Sequence, residues 1–335
     1  PDADADTSGG DGACAAGGSP FQLITEDPDY SCEVIEAAEA PARLREFVKA
    51  NRPAIIRGAL KDWPGAGSWS DDAGGPLAAS ADEIVDVAFT ESDGHLNHFE
   101  PLANWTHVLK DAHWRVNDVV LVRPPTHALY FGDFLALLRR GGGWADAPGA
   151  APGRVYLHQV EMNVHLPALL NLTRPISDRW LPAKALLKEV NLWMSGGGTT
   201  TSLHQDATEN IVAQVAGAKE WVLFRPNQKG RLYYSQVTEI GGEARSTPGA
   251  AVSGRISSNH GVVDVTAPDL ERFPAYAKAG GLRCRLEEGD AMYVPSLWHH
   301  AVHSEAGGDG RNVAVNFFLT STVSREAADA MHSPL

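Results

Sequence analysis

Along the second half of the chain, short apolar runs with polar residues at alternating positions are broken by Gly, Pro, Asn and Asp. RVYLHQVEM (154–162), VNLWMS (190–195), TSLHQD (201–206) and NIVAQVA (210–216) have the length and β-branched or aromatic content of strands. KEWVLF (219–224), LRCRL (282–286), AMYVP (291–295) and VAVNFF (313–318) read the same way. Regular short strands of this kind predict a β-barrel or double-sheet jelly roll over residues 154–321. Two stretches interrupt the pattern. His165 to Lys188, punctuated by Pro167, Pro175 and Pro182, is expected to be helical or irregular. Arg231 to Gly280, rich in Gly and Ser, is expected to form a lid or substrate loop.

Before Arg154 the pattern is mixed, and residues 21–153 read as an N-terminal α/β portion packed on the barrel. Cys32 to Asn51 predicts a helix interrupted by Pro41, and Ala54 to Gly58 a short buried strand. Trp63 and Trp69 are expected in the core. Ala81 to Phe89 suggests a helical turn leading into a strand, and FGDFLALLRR (131–140) a helix stopped by Gly141 to Gly143. Residues 1–20 are Asp, Gly, Ala and Ser with little to bury and read as a disordered tail; residues 322–335 form a short C-terminal tail. Residues 91–120 hold His95, His98, His107 and His113, but without the local pairing of a zinc site. That segment reads as an insertion forming a surface element.

Composition narrows the classes. A chain of 335 residues with 43% hydrophobic and 21% charged residues is globular and can bury a large core. A formal charge of −14 argues against binding nucleic acid through a basic surface and suits a basic protein or peptide partner. No apolar run reaches the ~18–20 residues of a membrane span. Cys14, Cys32 and Cys284 are an odd number without metal-type spacing. They suggest no disulfide framework, and hence a reducing, intracellular setting, cytoplasmic or nuclear.

The chemistry centres on His204 and Asp206. On a strand, residues two apart point the same way, so this imidazole and carboxylate project side by side. They are two-thirds of the 2-His-1-carboxylate triad that holds non-haem Fe(II). A third ligand is offered far downstream in GDAMYVPSLWHHAV (289–302), where only one of His299 and His300 can share the face of the first pair. Lys219, on the next strand, would need an anion if buried in an apolar barrel, and a dicarboxylate would supply one.

TSLHQDATENIVAQVAGAKEWVLFRP (201–226) and GDAMYVPSLWHHAV, with AVNFFL (314–319), resemble the Jumonji-C, cupin-like Fe(II)- and 2-oxoglutarate-dependent oxygenases. NRPAIIRGALKDWP (51–64) and APDLERFPAYAKAGGLRC (267–284) extend the likeness to the small lysyl hydroxylase branch. The resemblance implies a mainly β fold with α elements, a double-stranded β-helix carrying a helix-bearing N-terminal portion. It implies His204, Asp206 and His300 as metal ligands, His300 lying five residues beyond Pro295 as the family pattern requires. His299 then stands where the family has an aromatic residue. Lys219, Thr201 and Tyr156 are implied to bind the distal carboxylate of 2-oxoglutarate, with Asn210 and Asn316 lining the pocket. The cofactors implied are Fe(II), 2-oxoglutarate and O2, and the reaction is hydroxylation of a protein side chain, lysine first, with release of succinate and CO2. An N-methyl-lysine demethylase and a non-catalytic, metal-retaining cupin module are the alternatives. The partner implied is a protein or peptide substrate, and a homodimer is left open.

Overall fold

The structure is a computed structural model and describes residues 19–65, 69–70, 74–144, 153–173, 186–241 and 255–320. In chain order the strands are β1 (Thr25–Glu26), β2 (Glu33–Glu36), β3 (Ala54–Arg57), β4 (Ile84–Phe89), β5 (His98–Pro101), β6 (Val119–Arg123) and β7 (Thr126–Tyr130). Then come β8 (Gly143–Trp144), β9 (Gly153–Glu161), β10 (Leu187–Ser195), β11 (Thr199–Gln205), β12 (Glu209–Ala216), β13 (Ala218–Phe224) and β14 (Val237–Gly241). β15 (Arg255–Ser257), β16 (Gly280–Leu286), β17 (Ala291–Val294), β18 (His299–Glu305) and β19 (Asn312–Leu319) complete the set. Helix α1 spans Ala40–Lys49 and α2 Phe131–Arg139.

Strands from Leu187 onward cross repeatedly between two facing sheets. β17, β12, β19 and β10 lie side by side in the larger sheet; β16, β13, β18 and β11 form the smaller one. This is the double-stranded β-helix expected from the jelly-roll pattern, mainly β with few helices. The larger sheet continues through β9, β4 and β7 on one side and β3 and β2 on the other.

The central strands β17, β12 and β19 of the larger sheet are buried on both faces. Val313, Val315 and Phe317 on β19 pack with Val190, Leu192 and Met194 on β10 against Leu44 and Phe47 of α1 and Phe131 and Phe134 of α2. Their neighbours Asn316 and Phe318 turn inward and line the barrel cavity. Each Val, Leu or Phe so buried contributes roughly 1.5–3 kcal/mol, so the helix layer keeps the sheet's outer face dry and its inner face in register.

Three expectations change. Residues 33–36 form a strand, and Pro41 sits in the first turn of α1 instead of interrupting a longer helix. Proline is preorganised for that position, where its missing N–H has no helical partner to lose. The expectation of no disulfide is overturned, because Cys32 and Cys284 are bridged with a Cα–Cα distance of 5.5 Å. The chain passes from β1, paired with β16 in the smaller sheet, to β2 in the larger one, and this crossing brings Cys32 over β16. A sequence separation of 252 residues hid that pairing, and the reducing-compartment reading loses its basis. Finally, the His-rich segment is more than a surface element. β5 and β6 join β14 and β15 in a four-stranded sheet, with Trp105, Leu109, Val120, Val122 and Ile240 as its own small core.

That third sheet also answers for the stretch expected to be a lid. β14 pairs in parallel with β6, and Glu239, Arg255, Asn259 and His260 from the Arg231–Gly280 segment line the barrel cavity. The expected tails at 1–20 and 322–335 fall almost wholly outside the described residues. No helix among the described residues is long and apolar enough to cross a membrane.

Candidate active site

His204 near the end of β11 is paired with His300 on β18, so the backbone ladder sets the two imidazoles side by side. Their ring centroids are 4.2 Å apart, and His300 Nε2 lies 3.7 Å from Asp206 Oδ2. One donor atom from each of His204, Asp206 and His300 falls within 4.8 Å of the others. Each histidine is aimed by its own backbone. Nδ1–H of His204 donates to the Ser202 carbonyl at 2.8 Å and Nδ1–H of His300 to the Trp298 carbonyl at 3.0 Å. A carbonyl can only accept, so both rings hold their proton on Nδ1 and present the Nε2 lone pair inward, the tautomer a metal ligand needs. Asp206 lies just past the strand, where the Leu297 N–H binds its carbonyl at 2.7 Å. Leu297 takes a left-handed φ of 70° to do so.

Burial holds His300 down to about 4, helped by the charge of His204 and opposed by Asp206 and the Trp298 carbonyl. The ring is therefore neutral and able to ligate at neutral pH. His299 points the other way, its Nε2 3.1 Å from the Pro226 carbonyl and its ring 4.5 Å from that of Tyr234. Strand alternation thus separates the two neighbours, and only His300 faces His204.

The eight residues singled out from sequence line one cavity of about 400 Å³. Lys219 on β13 is buried at 3% exposure and donates to Ser304 Oγ at 2.7 Å. No carboxylate among the described residues pairs with it, and burial lowers the ammonium to about 7. Tyr156 bonds to Ser304 and Thr201, and its ring centroid lies 6.0 Å from Lys219 Nζ; burial pushes its phenol up. Lys219 therefore sits in a ring of hydroxyls. In register it is level with Ser304, four residues along β18 from His300, or roughly 13 Å at about 3.3 Å per residue. Asn210 and Asn316 also face the cavity but bond to each other at 3.0 Å, and Trp193 Nε1 holds Asn316 Oδ1 at 2.6 Å. They form a fixed polar floor.

Thr201 and His204 are three residues apart, which on a regular strand puts them on opposite faces. The register shifts between them: Thr201 opposes Val302 while His204 opposes His300, so β11 carries one extra residue. This β-bulge brings both onto the cavity side. Other residues at the site went unnoticed in sequence. Ser304, buried beside Lys219 and Tyr156, has no motif beyond its alternation with His300 and Val302. His158 is held to about 3 by burial and by the charges of Arg123, His204 and Lys219. His260, 5.9 Å from His204 ring to ring, is held to about 2 by burial and by His204, Arg123 and Arg255. At the third sheet Arg123 Nε meets Glu239 Oε2 at 2.9 Å. Burial raises the Glu239 carboxyl, but the Arg123 bond and charge, Ser257 and Arg255 outweigh it and leave it below the usual range.

A double-stranded β-helix with two histidines and a carboxylate turned into one cavity defines a cupin-like protein. The chain belongs to the Cupin-like domain family, which it matches over residues 40–324. It is 28% identical to the bifunctional peptidase and (3S)-lysyl hydroxylase JMJD7 of Homo sapiens over 282 residues, covering 82% of this chain and 79% of that protein. It is 26% identical to the lysine-specific demethylase JMJ31 of Arabidopsis thaliana over 306 residues, 84% of this chain and 48% of that protein. Over 120 residues, 36% of this chain and 31% of the relative, it is 32% identical to the tRNA wybutosine-synthesizing protein 5 of Mus musculus.

Proposed function

We propose that the protein is an Fe(II)- and 2-oxoglutarate-dependent oxygenase that hydroxylates a protein side chain, lysine first. The carrying observation is that a 2-His-1-carboxylate set and a buried lysine with no acidic partner among the described residues share one cavity. The donor set fits the metal: two imidazoles and one carboxylate turned into one cavity are the ligand types that hold Fe(II) in non-haem oxygenases. The cradle fits the co-substrate. A buried ammonium is costly without an anion, and the distal carboxylate of 2-oxoglutarate would complete the Lys219, Ser304, Thr201 and Tyr156 group through charge-assisted and hydroxyl bonds.

In this reading His204, Asp206 and His300 would hold the iron, which with 2-oxoglutarate and O2 supplies the oxidising power for hydroxylation, with succinate and CO2 released. The chain's own work is placement. The Ser202 and Trp298 carbonyls fix the imidazole tautomers, the Leu297 N–H steadies the backbone of Asp206, and Trp221, Val212, Val302 and Phe318 exclude water from the reacting end. Exclusion of water lowers the local dielectric and strengthens the pairing of Lys219 with a carboxylate. A protein or peptide substrate with a basic segment agrees with the net charge of −14 and with relatives named as a lysyl hydroxylase and a lysine-specific demethylase.

The test is anaerobic titration of metal-free protein with Fe(II) and then 2-oxoglutarate, following the visible charge-transfer absorption of the chelate. A band in wild type that is lost in His300→Ala supports the reading. No band from folded wild type sinks it in favour of a metal-retaining module without turnover. Turnover on lysine and N-methyl-lysine peptides, read by mass, then separates the outcomes. Gain of one oxygen atom supports hydroxylation, whereas loss of the methyl carbon as formaldehyde replaces it with demethylation.

A further inference from the structure

We infer that Asp93, His95 and His98 form a second divalent-metal site, outside the barrel and independent of the first. Donor atoms of the three lie within 4.8 Å of one another, and Asp93 Oδ2 stands 3.8 Å from Nδ1 of each imidazole. The ring centroids are 5.7 Å apart. Counting histidine spacings alone misses this group, because its third member is the aspartate.

The site is built rather than collected by chance. Asp93 Oδ1 accepts the His95 N–H at 3.0 Å, which turns the carboxylate back over the two rings. The loop is pinned to the barrel by two backbone bonds, Leu96 N–H to the Thr200 carbonyl at 2.8 Å and Thr200 N–H to the Gly94 carbonyl at 2.9 Å. Gly94, at a left-handed φ of 72°, approaches so closely that a Cβ there would stand 1.9 Å from the Gly198 oxygen. The donors are thus carried on a rigid support, which limits the ordering that binding must impose.

Both rings turn Nδ1 toward the carboxylate, each 3.8 Å from Asp93 Oδ2 and beyond hydrogen-bond range, which leaves room for an ion among the three donors. Two imidazoles and one carboxylate select a borderline ion such as Zn²⁺ over Mg²⁺ or Ca²⁺, with water completing the tetrahedron. His98 also lines a separate cavity of about 230 Å³, shared with Asp264 and Asp269. An ion here would stiffen the loop whose backbone pairs with Thr200 of β11, one residue from Thr201.

The test uses the full chain with Asp206→Ala/His300→Ala, which removes the first site, dialysed against Zn²⁺ and analysed for bound metal. One equivalent is expected to remain, and to vanish when His95→Ala and His98→Ala are added. In the wild-type background the latter pair is expected to reduce two equivalents to one. No zinc on the folded Asp206→Ala/His300→Ala protein overturns the inference, as does a stoichiometry that His95→Ala/His98→Ala leaves unchanged. Should the four-fold variant misfold by circular dichroism, Co²⁺ loading followed by proton NMR decides on single variants. His95→Ala and His98→Ala must each delete one hyperfine-shifted imidazole N–H signal; retention of both signals overturns the assignment.

Discussion

Replacing Lys219 by methionine keeps the side chain's length and apolar stem but deletes the ammonium. Two effects of opposite sign follow from its 3% exposure and its position among hydroxyls. Without 2-oxoglutarate, the buried charge is a burden on the fold. Lowering from 10.5 to about 7 sets an upper limit near 5 kcal/mol at ~1.4 kcal/mol per pH unit, present in full below about pH 7 and gone above pH ~10.5. The unfolded chain binds the extra proton between those limits, so wild-type stability rises with pH across that window. Lys219→Met removes the dependence and raises the melting temperature of the co-substrate-free protein at pH 6. With 2-oxoglutarate the difference narrows, since a charge-assisted bond is worth about 1.5–3 kcal/mol, or ~10- to 150-fold in affinity, against that upper limit. The assay is thermal unfolding at pH 6 and pH 9 with and without 2-oxoglutarate, beside direct measurement of its Kd. A variant that binds 2-oxoglutarate within twofold of wild type refutes the assignment of Lys219 as the carboxylate partner.

Asp206→Ala or His300→Ala should abolish retention of Fe(II) in the barrel and turnover with it, whereas His299→Ala should lower stability by a few kcal/mol, as loss of a buried ring does, and keep Fe(II) binding. Equilibrium dialysis of the three variants checks this, and iron lost from His299→Ala alone would reverse the assignment of faces. Because burial lowers His300 from 6.5 to about 4, the unfolded chain takes up its proton first as pH falls. Stability of the metal-free protein should then decline from pH 6.5 toward 4, and urea midpoints measured across that range should lose part of their slope in His300→Leu. Gly94→Ala should cost well over 1 kcal/mol, since the left-handed conformation alone costs about 1–2 kcal/mol and the added carbon meets the Gly198 oxygen; an unchanged urea midpoint would contradict that packing.

The barrel was legible because its strands advertise themselves by alternation, and the candidate site because His204, His300 and Lys219 sit on strands whose facing follows from parity, with Asp206 one residue past the end of β11. Pro41 was misread by treating proline as a breaker when its place in the first turn makes it a starter. The Cys32–Cys284 bridge depends on where β1 and β2 join different sheets, which no local pattern reports. The third sheet was hidden for a similar reason: β6 pairs with β14, more than a hundred residues away. His158 and His260 reach the cavity, and Ser304 reaches Lys219 behind it, through tertiary placement, and a lone serine or histidine carries no sign of that. Thr201 lines the cavity, although simple alternation argues against it.

That last point rests on the bulge in β11, and it sets what evolution can alter there. Between Thr201 and His204, three residues span the two-residue step from Val302 to His300 on β18. Deleting the extra residue would leave a regular strand on which the threonine and the histidine, now two apart, still share a face. What the extra residue and its bulge add together is therefore a local bend and twist of β11 rather than the facing of its two ends. For this short stretch, a relative shorter by one residue can still present both side chains to the cavity.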